Sequence, residues 1–192
     1  MALEMKKYKG KIRVAAIADA KAMLEIYAWY VENTSLTFEY DVPSLKEFES
    51  RVEKTLEYYP WLVYEEEGRV LGYAYAGKFR TRAADDWVVE TTIYLSREVR
   101  GRGIGRELYT KLETILKAQG IVKTIAVITC PADEYSDFHS VQFHKNMGYS
   151  SAGRLDFVGY KFGRWYSTIT MDKLINEPDR NMQDIRPFPL LL

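Results

Sequence analysis

Glu90 stands in the run Trp87-Val88-Val89-Glu90-Thr91-Thr92-Ile93-Tyr94-Leu95, a carboxylate among apolar and aromatic neighbours. Burial in such surroundings raises a carboxyl pKa toward values at which the group can exchange protons near neutral pH. His144 is one of only two histidines, with His139. An imidazole titrates near about 6.5, so it can accept or donate a proton in the same range. The segment Arg100-Gly101-Arg102-Gly103-Ile104-Gly105-Arg106 removes side chains at three alternate positions among arginines. Backbone N–H groups can then converge on an anion, and a helix behind the loop adds unpaired first-turn donors and the positive end of its dipole. A diphosphate-bearing cofactor suits such a loop. Cys130, the single cysteine, could act as a nucleophile, but it lies between an apolar run and Pro131.

Each of these residues also has a purely structural reading. Glu90 could be a strand residue facing solvent or paired with an arginine, His144 a partly buried helix histidine, and the glycine segment a flexible basic turn. Two other phosphate-binding patterns fail on residues. A dinucleotide fold expects Gly-x-Gly-x-x-Gly after the first strand, whereas this loop follows a strand in mid-chain with different spacing. A nucleotide-hydrolysing loop needs Gly-Lys-Ser or Gly-Lys-Thr, which is absent.

The elements that must position these groups are legible in outline. Ile12 to Ala16 reads as a short strand, and Asp19 as the cap of a helix patterned on Met23, Ile26, Tyr27 and Tyr30. Ser44 with Glu47 three positions later opens a second helix that stops before Pro60. Strands follow over Trp61 to Glu65 and Val70 to Ala76, joined by the hairpin turn Glu66-Glu67-Gly68-Arg69, and then over Trp87 to Leu95. Behind the glycine loop a helix starts near Glu107, carries Leu108, Leu112, Ile115 and Leu116 inward, and ends at Gly120. Thr124 to Thr129 is a buried strand, Ser140 to Met147 a short helix stopped by Gly148, and Tyr149 to Lys161 and Trp165 to Leu174 a closing hairpin around Phe162-Gly163-Arg164. The order β-α-α-β-β-β-α-β-α-β-β implies an α/β fold with a mixed central sheet. Residues 1–175 read as one domain, and residues 176–192, with Pro178, Pro187 and Pro189 and no periodicity, as a loose tail.

The chain has 192 residues, 47% of them hydrophobic, enough for one sizeable core. Lys and Arg number 27 and Asp and Glu number 27, so no global field draws the chain to nucleic acid or anionic membrane, and neither is expected as a partner. Four lysines precede Ile12 without the apolar run of a signal peptide, and no stretch reaches the roughly 20 apolar residues of a membrane span. A soluble protein in a reducing cytoplasm, with no metal, is the expectation.

Arg100-x-x-Gly103-x-Gly105 resembles the pyrophosphate signature of the GNAT N-acetyltransferases, Arg or Gln, two residues, Gly, one residue, Gly or Ala. Further segments resemble the phosphinothricin acetyltransferase branch of that superfamily: Tyr59-Pro60-Trp61-Leu62-Val63, Gly72 with Tyr75-Ala76-Gly77, Asp86-Trp87, Glu90 to Leu95, and His144 leading into Met147-Gly148-Tyr149. The likeness runs from about Ile12 to Leu174.

The resemblance implies the GNAT fold, with two strands splaying apart after Leu95, and acetyl-CoA as co-substrate. Ile93, Tyr94 and Leu95 would meet its pantetheine arm, and Arg100, Gly101, Arg102, Gly103, Ile104, Gly105 and Arg106 its pyrophosphate. Asp137, where the family carries Asn or a similar residue, and Ser140 would also lie near the pantetheine. Glu90 falls on the position of the proposed general base and His144 on that of the other catalytic candidate. Phe38, Arg82 and Tyr94 fall on acceptor-pocket positions, and an arginine can grip a carboxylate or phosphinate with two parallel bonds. Asp85 replaces a tyrosine that helps hold the acidic group of phosphinothricin, which widens the expected acceptors to methionine sulfone, methionine sulfoximine or other amino acids. The implied reaction is direct acetyl transfer to the primary amine of a small amino-acid-like molecule by a homodimer. A peptide N-terminal acetyltransferase and a non-catalytic acyl-CoA sensor on the same scaffold are the alternatives.

Overall fold

The computed structural model describes residues 10–99, 101–130 and 139–192. Its strands are β1 (Lys11–Val14), β2 (Trp61–Glu66), β3 (Arg69–Lys78), β4 (Val88–Leu95), β5 (Lys123–Thr129), β6 (Ser150–Lys161) and β7 (Arg164–Leu174). The helices are α1 (Ala20–Asn33), α2 (Leu45–Leu56), α3 (Ile104–Gln119) and α4 (His139–Asn146). The strands form one sheet in the order β1-β2-β3-β4-β5-β7-β6. Neighbours are antiparallel except β4 and β5, which run parallel, with α3 as the crossover between them.

Local chemistry explains the element boundaries. Ser44 Oγ accepts from the Glu47 N–H at 3.2 Å and starts α2. Glu67 and Gly68 both have positive φ, 51° and 77°, the two-residue turn whose twist matches that of the flanking strands. Gly120, at φ 93°, ends α3 in the left-handed conformation. Two expectations need correction. Asp19 does not cap α1 with its carboxylate, which instead accepts from the Ala16 N–H at 2.7 Å and pairs with Arg13, so a 3₁₀ turn over Ile17–Asp19 precedes the helix. α3 begins at Ile104 and not near Glu107, because Gly103, at φ 82°, is already its N-cap.

The sheet separates two apolar clusters. On one face Val89, Ala126 and Ile128 pack with Leu108, Tyr109, Leu112 and Leu116 of α3. On the other, Trp61, Val63 and Tyr73 pack with Met23, Tyr27 and Val31 of α1 and with Phe48 and Val52 of α2. Strand alternation therefore sends Val89, Thr91, Ile93 and Leu95 toward α3, and Glu90, Thr92 and Tyr94 toward α1.

The segment after β7 does not hang loose. Phe188 is 2% exposed, the Arg186 and Phe188 N–H groups donate to Gln119 and Tyr58 carbonyls, and Gln119 Nε2 returns two bonds to Tyr58 and Arg186 carbonyls. One buried aromatic and the two bonds given by the Gln119 amide nitrogen dock this stretch, which has no periodicity of its own. Among the described residues no helix is long and apolar enough to cross a membrane.

Candidate active site

β4 and β5 pair only from Val88↔Lys123 to Glu90↔Ile125. Beyond that point β4 stays on β3 through Leu95↔Gly72 and β5 stays on β7 through Thr129↔Thr168, so the two strands part. The splay opens after Glu90, five residues before the expected point at Leu95, because each strand follows its own antiparallel partner. In an antiparallel pair a residue points both backbone groups at the same neighbour, and successive residues alternate. The Ser96 N–H donates to the Leu71 carbonyl, so Thr92 and Tyr94 bond to β3 while Ile93 and Leu95 turn their backbone groups into the opening. The Leu95 carbonyl meets Tyr30 there, whose hydroxyl donates to it at 2.7 Å.

A cavity of about 300 Å³ fills the opening. Leu36, Thr37, Tyr75, Glu90 and Tyr94 line it from the α1 side, and Thr91, Tyr109, Ser140 and His144 from the α3 side. Since the opening passes through the sheet, Glu90 and His144 share one cavity while coming from opposite faces.

His144 is 3% exposed and both ring nitrogens are engaged. Its Nδ1 lies 2.8 Å from the Ser140 carbonyl, which can only accept, so Nδ1 carries the proton. In the neutral ring Nε2 then accepts from the Tyr109 hydroxyl, 3.0 Å away. Burial pulls the His144 pKa down, which favours that neutral form. Tyr109 also lies 3.3 Å from Thr91 Oγ1, and Thr91 Oγ1 donates to the Ile125 carbonyl at the mouth of the splay. Burial lifts the Tyr109 phenol well above its ordinary range, so it keeps its proton.

Glu90 is half-buried, and among the described residues its carboxylate has no hydrogen bond or ion pair. Burial alone raises its pKa. Opposite stands an aromatic wall. Tyr94 packs edge-on against Tyr27 and Tyr30, both at 5.0 Å between ring centroids, and Tyr75 stacks on Trp61 at 4.0 Å. Tyr27 bonds Thr37 Oγ1 at 2.7 Å.

The glycine segment divides by cause. Gly101 and Gly103 have positive φ, 75° and 82°, and are exposed at the turn into α3. Gly105 lies within the helix, where an added Cβ would come within 3.2 Å of Phe143 and 3.5 Å of Ile93 and Leu95, so its bareness serves packing of α3 on α4 and β4. Ile104 is buried and Arg106 exposed. Arg102 donates from Nη2 to both carboxylate oxygens of Glu66, at 2.7 and 2.8 Å, which offsets the charge expected for an anion. The N–H groups of Ile104, Gly105 and Arg106 precede the first helical bond, Glu107 N–H to Gly103 carbonyl, and have no partner at the helix start among the described residues. Arg100 and Asp137 lie outside the described residues.

Of the acceptor candidates, the structure brings Tyr94 to the cavity. Phe38 stands one residue past Thr37 with its ring against Gly159 and 6.4 Å from Tyr166. Arg82 is exposed and lines a separate groove with Arg80 and Thr81. Cys130 follows the cavity-lining Thr129, and its Sγ accepts from Arg154 at 3.4 Å. Tyr109, Thr91, Tyr30 and Thr37 were not singled out from sequence. Tyr109 had a signal, a hydroxyl-bearing ring on the inward stripe of α3 one turn after Gly105, whereas the others depend on where the strands part.

The profile of the acetyltransferase (GNAT) domain matches residues 12–170. The chain belongs to the GNAT acetyltransferase family. Among curated GNAT relatives, the phosphinothricin N-acetyltransferase of Streptomyces viridochromogenes is 39% identical over 156 residues, 81% of this chain and 82% of that protein. An L-methionine sulfoximine/L-methionine sulfone acetyltransferase of Pseudomonas paraeruginosa is 32% identical over 90% of this chain and 98% of its own. Among solved structures, a GNAT superfamily phosphinothricin acetyltransferase of Sinorhizobium meliloti in complex with AcCoA superposes with a TM-score of 0.83 at 33% identity, over 94% of this chain and 99% of that one. This GNAT protein is an N-acetyltransferase.

Proposed function

We propose that the enzyme transfers the acetyl group of acetyl-CoA directly to the primary amine of a small amino-acid-like acceptor. Acetyl-CoA supplies the acetyl group as an activated thioester. Two observations fit the chain to it. The backbone groups of Ile93 and Leu95 face an opening with no strand opposite, and the first N–H groups of α3 stand open behind left-handed Gly103. Ser140 lies at the same cavity.

The observation that carries the reaction is Glu90, a carboxylate raised by burial and free of partners among the described residues, facing a cavity walled by tyrosines. An alkylammonium must lose a proton before it can attack a carbonyl, and in this reading Glu90 takes it, directly or through one water. The Leu95 N–H, pointing into the opening, is positioned to donate to the carbonyl oxygen as charge gathers there. His144 has both nitrogens occupied, so in this reading it orients the Tyr109 hydroxyl, which on turning from Nε2 toward the cavity donates a hydrogen bond to the departing thiolate while keeping its proton. Cys130 lies outside the residues that line the cavity, which supports a direct transfer over one through a cysteine thioester.

Relatives acting on phosphinothricin and on methionine sulfoximine or sulfone support an acceptor of that size and charge. We further propose a cytoplasmic homodimer: Leu155, Phe157, Val158, Tyr160 and Trp165 leave an apolar, aromatic surface on β6 and β7, with Phe157 71% exposed. The test of the activity is thiol release from acetyl-CoA with phosphinothricin, methionine sulfone, methionine sulfoximine, the common amino acids and a short peptide. Release with one or more small amines and none with the peptide supports the reading. Release only with the peptide, or with nothing, contradicts it.

A further inference from the structure

Lys161 is the last residue of β6, paired with Arg164 across the turn, yet it is only 3% exposed. Its ammonium donates three bonds, to the carbonyls of Val31 at 2.7 Å, Thr34 at 2.9 Å and Thr37 at 2.9 Å. Three donors meet three acceptors, so the ammonium is fully satisfied although buried. All three carbonyls belong to one stretch, the C-terminal end of α1 and the chain leaving it, where helical carbonyls have no partner of their own and a cation is favoured. Burial lowers the Lys161 pKa, the cost of holding a charge there.

Two residues earlier, on the same face of β6, Gly159 presents bare backbone to Phe38. A Cβ at 159 would lie 2.3 Å from the Phe38 ring. From β5, on the same face of the sheet, Thr129 Oγ1 donates to the Ser35 carbonyl at 2.7 Å. The stretch from Thr34 to Phe38 is thus gripped from outside, and its inner side, Leu36 and Thr37, forms the cavity wall facing Glu90.

We infer that Lys161 is a positioning residue for the acceptor: by drawing in three carbonyls it sets the distance of Leu36 and Thr37 from Glu90, and so the size of amine the cavity admits. This rests on the acetyltransferase reading above for what occupies the cavity. It assigns Lys161 no contact with acetyl-CoA, whose open strand edge and helix start lie on β4 and α3.

The experiment compares the parent with Lys161→Met, Lys161→Arg and Gly159→Ala. Three readouts are amide hydrogen exchange, acetyl-CoA affinity by calorimetry, and steady-state kinetics with methionine sulfone and phosphinothricin. Lys161→Met should speed exchange over residues 34–38 and leave residues 93–95 and 104–108 protected as in the parent. Acetyl-CoA affinity should stay within about twofold, while the acceptor KM rises about tenfold and kcat changes by less than about threefold, the scale of one or two lost charged hydrogen bonds. Lys161→Arg should not restore KM, because a planar guanidinium cannot aim three N–H bonds at carbonyls converging on a single nitrogen. Gly159→Ala, which disturbs the same stretch while keeping the ammonium, should give the same pattern and serves if Lys161→Met does not fold. Unchanged exchange at 34–38 in the folded variants, or an acetyl-CoA affinity that falls along with the acceptor's, would overturn the inference. Parent enzyme inactive on both acceptors would instead strike the acetyltransferase reading, and the exchange data would still decide whether Lys161 holds the wall.

Discussion

The Tyr109 hydroxyl lies 3.0 Å from His144 Nε2 while His144 Nδ1 is held by the Ser140 carbonyl, so both nitrogens of this cavity-lining ring are engaged and its hydrogen bonding is tied to the tyrosine. A buried pair of this kind acts as a unit. Removing either member should cost much of what removing both costs.

Tyr109→Phe and His144→Ala are each expected to lower kcat by roughly tenfold to a hundredfold, the range of one lost hydrogen bond to a charged group, with acetyl-CoA binding retained. The double variant should be little worse than the poorer single. Independent, multiplying losses in steady-state rates would show that the two do not work together.

His144 also makes a prediction about stability. Its pKa is lowered in the folded state from an ordinary 6.5, so as pH falls through that value the unfolded chain gains a proton that the folded chain refuses. Stability contributed by the neutral ring is therefore present above about pH 6.5 and is lost progressively below it. Thermal melts of His144→Gln should show a shallower fall than the parent between about pH 7 and about pH 5. Parallel curves would mean that His144 is not held neutral.

Gly103→Val should weaken acetyl-CoA binding by about tenfold or more, equivalent to about 1.4 kcal/mol, because a branched residue at φ 82° distorts the helix start whose N–H groups are proposed to meet the pyrophosphate. Calorimetry reads it directly. Gly105→Ala should disturb packing against Phe143 and lower the melting temperature. A Gly103→Val protein that binds as the parent does would remove the loop from the binding site.

How much of this was legible in the chain follows from the range of the interactions. Period and punctuation place the strands, the helices and both hairpins, since Gly68, Gly120 and Gly163 mark local conformations that few other residues adopt. Glu90 and the glycine loop could be named because a short motif carries them. Thr91 and Thr37 could not, since they come together only where β4 leaves β5 after Glu90, a consequence of β4 staying on β3 while β5 stays on β7, some forty residues further along the chain. The docked stretch ending in Phe188 was missed for the same reason: one buried ring and the Gln119 amide hold it, and neither leaves a period. The bonds from Arg102, in the loop before α3, to Glu66 at the end of β2 join positions far apart in the chain and leave no local signal.

Phe157→Gly tests the dimer. Phe157 has φ 57°, unusual for an aromatic residue, beside a register shift in β6, so glycine relieves the backbone while removing the exposed ring. Light scattering should give a dimer for the parent and a shift toward monomer for Phe157→Gly with Trp165→Ser. A monomeric parent at micromolar concentration would contradict the proposed assembly.

The account turns on Glu90 taking the proton of the acceptor amine. The most direct measurement is the steady-state rate of Glu90→Gln against the parent from about pH 6 to about pH 10, with one good acceptor. The amide keeps the shape and cannot accept the proton, so acetyl-CoA binding should persist while turnover near neutral pH falls by roughly a hundredfold or more. The deficit should narrow as pH rises, because more of the amine arrives already neutral. A variant that keeps parental turnover across the whole range would contradict Glu90 as the base.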